Sequence, residues 1–268
     1  MDVRVSGIHV YPVKSCGGFA VERSRLDACG LMHDRRFMIV SPLGAFLTQR
    51  ELPALARIGT AIIGAELELA CDGHTIRFPL RPLRGKPFDV VVWGDRVRAR
   101  AMSPKIDAWL AARLGEAVGL VYIPDEVIRP VDPRYASGSR TGFADGFPLL
   151  LIGQASLDEL NERLLEPVEM SRFRPNLVIT GAAPYAEDGW RDVTIGAVPL
   201  RIVKPCARCA IITTDQRTGA RSAEPLRTLA GYRRVGNDVM FGQNVIHLGE
   251  GEIAVGDPVM TRSEVQPC

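Results

Sequence analysis

The chain has 268 residues, 46% of them hydrophobic and 24% charged, with a formal net charge of +2. That length suits two modest domains or one large one, and that hydrophobic share supports a core and excludes global disorder. The near-neutral balance excludes wrapping of a nucleic-acid polymer or bulk adsorption to a membrane, so any anion site must be a local cluster.

In chain order, a β pattern starts at once with "VRVSGIHV" (3–10). No apolar signal core, transit segment or long spanning stretch precedes it, which sets the expectation of a cytoplasmic protein. "RRFMIV" (35–40), "ELELA" (66–70), "TIRF" (75–78), "FDVVVW" (88–93) and "RVRARA" (96–101) follow as strands. Short strands punctuated by Gly, Asp and Pro predict a barrel or sandwich. A helix comes next, with Ser103 as N-cap, Pro104 at the first helical position and Gly115 as stop. Its apolar face is Ile106, Trp109, Leu110 and Leu114.

Residues 124–148 are rich in Pro, Gly, Arg and Ser and carry no period. Such a stretch is a linker or a functional loop, and the domain boundary is placed just before it, giving domains 1–122 and 123–264. "ASLDELNERLLEP" (155–167) reads as a helix with a Ser156–Glu159 capping box, a stripe of Leu157, Leu160 and Leu164, and Pro167 as stop. β then returns in "NLVIT", "DVTIG", "VPLRIVKP", "AIITT", "NVIHL" and "EIAVGDPVM", interrupted by a short helix near "AEPLRTLAGY". The class is mainly β with a few helices (α+β).

The six cysteines, Cys16, Cys29, Cys71, Cys206, Cys209 and Cys268, are too sparse for a secreted disulfide scaffold and read as reduced thiols. Cys206 and Cys209 form a Cys-x-x-Cys in "KPCARC". Structural zinc needs four ligands; there is no second such pair, and His9, His33, His74 and His247 are scattered. A redox dithiol should open a helix, whereas this context reads strand–turn–strand. In an extended segment the two sulfurs face opposite ways, so one would pack inward and one line a pocket. Lys204 and Arg208 would then favour a thiolate suited to a soft metal. Plain core cysteines stay open beside that reading.

Other turns carry polar groups. "YPVKSCGG" (11–18) offers Lys14, Ser15 and the Gly17–Gly18 pair to an anion, or is a hairpin turn with a solvated lysine. It is no phosphate loop, because Val13 stands where glycine is required. Arg35 and Arg36 point to opposite faces of a strand, so at most one serves a given pocket. Arg172 and Arg174 share a face if extended, and Arg174 with Asn176 would present a fork and an amide to a polar cofactor. Asp145-Gly146 marks a tight turn, and Gly242, Gln243 and Asn244 lead into a strand.

The set "YPVKSCGG", "DRRFMIV", "FADGFP", "FRPNLVITG", "YAEDGW", "KPCARC", "EPLRTL", "FGQN" and "VGDPV", in this order over residues 11–259, resembles the MOSC family. Within it, the likeness is to the branch of amidoxime-reducing components and bacterial reductases of N-hydroxylated bases. The resemblance implies a MOSC-type β-barrel domain packed with an N-terminal β-barrel domain. It implies a molybdenum cofactor (Mo-molybdopterin), with Cys209 as the metal-ligating catalytic residue and Cys206 as a packing residue. Lys14, Ser15 and Arg36 match positions that hold the phosphate end of the molybdopterin. Arg174, Asn176 and Arg208 match further cofactor contacts. Gly146, Phe147 and Asn244 fall where some relatives use hydroxyl side chains, so backbone or amide contacts substitute here.

The implied activity is reduction of small N-hydroxylated compounds: N-oxygenated bases, amidoximes and hydroxylamines. The rival reading is a non-enzymatic carrier of molybdenum cofactor or sulfur. The sequence shows neither the N-terminal anchor of the mammalian members nor a four-cysteine cluster, so an external electron donor, a ferredoxin-like protein or flavin reductase, is expected. Neither a nucleic-acid polymer nor a membrane is an expected partner. Asp215, near the ligand cysteine in sequence, is the candidate proton donor.

Overall fold

The structure, a computed structural model, describes residues 2–263; Cys268 lies outside the described residues. The first half runs β1 (Arg4–Val10), β2 (Phe19–Val21), β3 (Arg23–Asp27), β4 (Gly30–Leu31), β5 (Phe37–Val40), β6 (Gly59–Ile63), β7 (Glu66–Cys71), β8 (His74–Pro79), β9 (Pro87–Val92), β10 (Asp95–Ala101), α1 (Pro104–Leu114) and β11 (Gly119–Tyr122). The second half runs β12 (Leu149–Gly153), α2 (Gln154–Glu162), β13 (Leu177–Thr180), β14 (Trp190–Ile195), β15 (Val198–Arg208), α3 (Leu226–Ala230), β16 (Arg234–Val235), β17 (Asp238–His247), β18 (Gly251–Ala254) and β19 (Val259–Ser263). The chain is mainly β with a few helices, as its punctuation predicts. No helix among the described residues is long and apolar enough to cross a membrane.

One large sheet has the order β19-β14-β15-β17-β12-β13-β1-β2, with β16 added to β17. Among its paired strands only β12 and β13 are parallel, joined through α2. A four-stranded sheet, β5-β11-β10-β9, and a meander, β6-β7-β8, come from the first half. The third small sheet is β18-β3-β4. The expected boundary at 122/123 falls just after β11, yet β1, β2 and β3 pair with or join strands beyond it. The turn after β1 is thereby carried up to the second half.

Alternation explains the cores. In β7, Leu67, Leu69 and Cys71 point inward while the residues between them face out or sideways. β5 is buried at all four positions because both its faces are covered. Phe37 and Ile39 join the core that contains Leu69, Phe78 and Leu110, while Met38 and Val40 join another around Val90, Val97 and Phe143. The large sheet packs its own core around Ile8, Leu151, Ile179, Val193, Leu200 and Val245.

Helix α1 matches its sequence signals. Pro104 opens it, Gly115 closes it with φ 77°, and the Gly115 N–H donates to Ala111 O. The Ser156–Glu159 capping box does not form. The N-cap of α2 is Gly153, three residues earlier, and Ser156 Oγ instead donates to the buried Glu187 at 2.8 Å. Glu159 is taken by Arg163 and Tyr185, and the helix ends at Glu162, well before Pro167. "AIITT" is not a strand either: Ala210–Thr213 is a single 3-10 turn, so the context of Cys209 is strand–turn.

Candidate functional site

The turn after β1 is locked from below. Lys14 N–H donates to Phe37 O at 2.8 Å, and Ser15 sits at φ 68°. The glycines serve packing rather than approach to an anion. A Cβ on Gly18 would lie 2.3 Å from the Tyr11 ring, and one on Gly17 3.1 Å from Ile58 O. Lys14 is buried, not solvated; its Nζ donates to Phe143 O at 2.9 Å and pairs with Asp145. Burial pushes the Lys14 pKa down, against the pull of Asp145. Neighbouring protein atoms disfavour charge on Asp145, whose side chain is nonetheless exposed, and Lys14 beside it and the Trp93 indole N–H at 3.0 Å hold its carboxyl below the usual carboxylate range.

Arg35 and Arg36 do point apart, and Arg35 is the one that faces the cleft. Arg36 turns away, donating to Ile123 O at 2.9 Å and pairing with Asp125 and Asp27. Its match to the phosphate-holding position is therefore not supported by where it stands. Arg35 pairs with Asp34 at 2.5 Å and donates to Asn176 Oδ1 at 2.9 Å. Burial raises the Asp34 pKa, opposed by Arg35. Asn176 does not line the cleft. It is buried, its Oδ1 also accepts from Leu150 N–H, and its Nδ2 donates to His9 O, so it pins Arg35 to β1 and β12.

Residues 170–174 are not extended. Met170–Phe173 form a 3-10 turn and Arg174 follows at φ 56°, which aims both Arg172 and Arg174 into the same cleft. Arg174 donates to Cys16 O at 2.6 Å, and its guanidinium lies 4.4 Å from the Tyr11 ring centroid; Arg35 lies 4.5 Å from the same ring. Burial pulls the Arg174 pKa down to about 10, where it is still a cation at neutral pH. Asp215 stands behind the cleft, holding Arg172 at 3.1 Å and accepting from the Arg217 and Thr218 backbone and the Thr218 hydroxyl. These contacts tie Asp215 to Arg172 and to its own turn, and Asp215 is not among the residues that line the cleft.

β15 brings the thiols. Its pairing with β17 slips between Pro205 and Ala207, and Cys209 begins the 3-10 turn. The regular alternation behind the opposite-faces expectation is lost, and Cys206 and Cys209 line the same cleft. Cys206 is thus not an inward packing residue. Arg208 lies between them, its Nη1 donating to Cys206 Sγ at 3.1 Å and its Nη2 to Phe173 O at 2.5 Å. Gly146, Phe147 and Asn244 complete the wall on the thiol side.

Lys14, Ser15, Arg174, Arg208 and Cys209 therefore line one cleft, while Arg36 and Asn176 do not line it. Arg35, Arg172 and Asp145 also line the cleft, although the resemblance assigned them no role. The strand expected over residues 35–40 begins only at Phe37, so the Arg35/Arg36 choice depends on a turn in which Arg35 sits at φ 47°, and Arg172 on a turn that the extended reading hid. The "DG" pair did flag Asp145. Five cations, Lys14, Arg35, Arg172, Arg174 and Arg208, line the cleft against one carboxylate, Asp145. Among the described residues no three His, Cys, Asp or Glu side chains group to hold a metal. The arrangement suits an anionic ligand held by cations and a soft electrophile or metal held by sulfur.

A mainly β chain with a cationic, thiol-bearing cleft between its two halves is the class this geometry defines. The chain belongs to the MOSC family: the MOSC domain model matches residues 138–260, and the MOSC N-terminal beta barrel domain model matches residues 2–117. It is 32% identical to mitochondrial amidoxime-reducing component 1 of Homo sapiens, over 95% of this chain and 82% of that protein. It is 30% identical to the same component of Xenopus laevis, over 95% of this chain and 81% of that protein. Molybdenum cofactor sulfurase of Oryza sativa subsp. japonica is 33% identical over 99% of this chain, which spans only 36% of that protein.

Proposed function

We propose that the chain is a molybdenum-cofactor-dependent reductase of small N-hydroxylated compounds, fed by an external electron donor of the ferredoxin-like or flavin-reductase kind. One observation carries the reading: Cys209 opens into the same cleft as five cationic side chains. The donor set fits the cofactor. A thiolate suits a soft metal, and buried lysine and arginine groups suit a phosphate-bearing pterin. Two relatives named amidoxime-reducing components, matched over most of their length, support the enzyme reading over that of a carrier.

In this reading Cys209 ligates the metal and Arg208 holds positive potential beside it. Lys14, Ser15 and Arg174 hold the phosphate end, with Arg35 in place of Arg36. Asn176 and Asp215 position Arg35 and Arg172. When bound, the cofactor supplies a two-electron centre able to take oxygen from an N–O bond. Read as domains 1–122 and 123–264, the chain draws Lys14 and Arg35 from the first and the sulfur side from the second. The five described cysteines are all free, which suits a reducing cytoplasmic setting.

The test is turnover of an N-hydroxylated purine by cofactor-loaded protein with an artificial reductant. Formation of the amine supports the reductase. Fully loaded protein without turnover supports the carrier of cofactor or sulfur instead.

A further inference from the structure

We infer that Tyr135 and Lys204 form a lip at the thiol end of the cleft that selects flat, conjugated ligands over aliphatic ones; the inference rests on the reductase reading above. Tyr135 comes from the long loop between β11 and β12 and is 38% exposed. Its ring meets Phe147 edge to face, centroids 5.9 Å apart, and Phe147 lines the cleft. Lys204 stands in β15, two residues before Cys206, and its Nζ lies 5.0 Å from the Tyr135 ring centroid.

The lip is anchored on both sides. Phe147 packs with Val203 against Val131, Ala136 and Ile246. The loop itself is tied down by the buried Arg129, which donates to Gly142 O at 3.0 Å, Ala144 O at 2.5 Å and Asp145 O at 3.1 Å, and pairs with Asp95 at 2.8 Å. A period-free stretch of sequence is thereby a preformed wall, so a ligand binding to it need not order it first.

The chemistry around the lip matches a planar π system. Lys204 is paired in register with Asn244, which lines the cleft. Asn244 Nδ2 donates to Pro205 O at 3.3 Å, leaving its amide oxygen to accept from the edge of a ligand. Leu149, Leu150, Ile211 and Ile212 supply an apolar floor. A conjugated ring gains stacking on the aromatic pair and the field of the ammonium; an aliphatic chain gains only contact area.

The test compares benzamidoxime with acetamidoxime on cofactor-loaded wild type, Tyr135→Ala and Tyr135→Phe. Binding is measured by calorimetry without reductant, and KM with an artificial reductant. The lip predicts that Tyr135→Ala weakens benzamidoxime binding and raises its KM about three- to tenfold, the span of one lost ring contact. Acetamidoxime should shift less than twofold, and Tyr135→Phe should behave as wild type. Equal shifts for both ligands, no shift, or no benzamidoxime binding to wild type overturns the lip. Tyr135-dependent binding with no reduction of either compound by wild type sinks the reductase reading and leaves the lip standing as a binding site.

Discussion

Arg35 Nη1 donates to the buried Asn176 Oδ1 at 2.9 Å, and this bond ties the cleft-facing one of two adjacent arginines to the large sheet. Asn176 also accepts from Leu150 N–H at 3.2 Å and donates to His9 O at 3.1 Å. One amide thus fastens a cleft cation to two strands of the large sheet. Arg36, one residue on, is spent on Asp125, Asp27 and the Ile123 carbonyl.

Arg35→Ala should weaken binding of inorganic pyrophosphate, used as a probe of the anion end, by about tenfold, as expected for a charge-assisted contact. Arg36→Ala should leave that affinity within twofold while lowering the urea midpoint, because Asp125 and Asp27 lose their cation. Calorimetry and urea unfolding on the two variants separate the roles. A larger affinity loss for Arg36→Ala would restore Arg36 to the site.

Two carboxylates bend the acid limb of stability in opposite directions. Asp145 is held below its ordinary pKa, so its contribution is present above about pH 4 and is lost as pH falls through the depressed value. Asp34 is raised by burial, so between about pH 4 and its raised value the folded state binds the extra proton and gains stability as pH falls. Asp145→Asn should flatten the acid-side loss, and Asp34→Asn should steepen it. Urea midpoints measured from pH 7 to pH 3 check both signs.

Thiol exposure should follow the cleft. Iodoacetamide labelling of folded protein followed by peptide mapping should mark Cys206 and Cys209 and spare Cys16. Cys16 is buried, and burial pushes its thiol up to about 12. Rapid labelling of Cys16 would contradict the packing of the turn after β1.

Gly18→Ala should act through Tyr11. The new Cβ would meet the ring at 2.3 Å, and Tyr11 is the surface on which Arg35 and Arg174 both stack. Overpacking of this kind costs about 1–3 kcal/mol. Thermal unfolding should show the loss, and pyrophosphate affinity should fall with it.

Much of the fold was legible because it rests on local rules. Period-2 alternation marked β7 and β10, and the Ser-Pro start and Gly stop marked α1. The Ser156–Glu159 box failed because a buried partner, Glu187, offers Ser156 a better bond than the helix end does. The site was legible in its residue types more than in its directions. Ser15, Arg35 and Arg174 all have positive φ, and Trp93, which reaches Asp145 from the β9–β10 hairpin, does too. Non-glycine residues adopt that conformation only where the surrounding structure imposes it, so no local pattern announces where their side chains point. The same holds for Cys206: a slip in the β15–β17 register, invisible in "KPCARC", turns it to the side of Cys209.

The central claim is that Cys209, and not its neighbour three residues away, holds the metal. The most direct measurement is molybdenum content per chain in wild type, Cys206→Ser and Cys209→Ser, each purified from cells that make the cofactor. The account predicts about one molybdenum in wild type and in Cys206→Ser, and a loss of metal in Cys209→Ser. Full molybdenum in Cys209→Ser, with loss in Cys206→Ser, would contradict it.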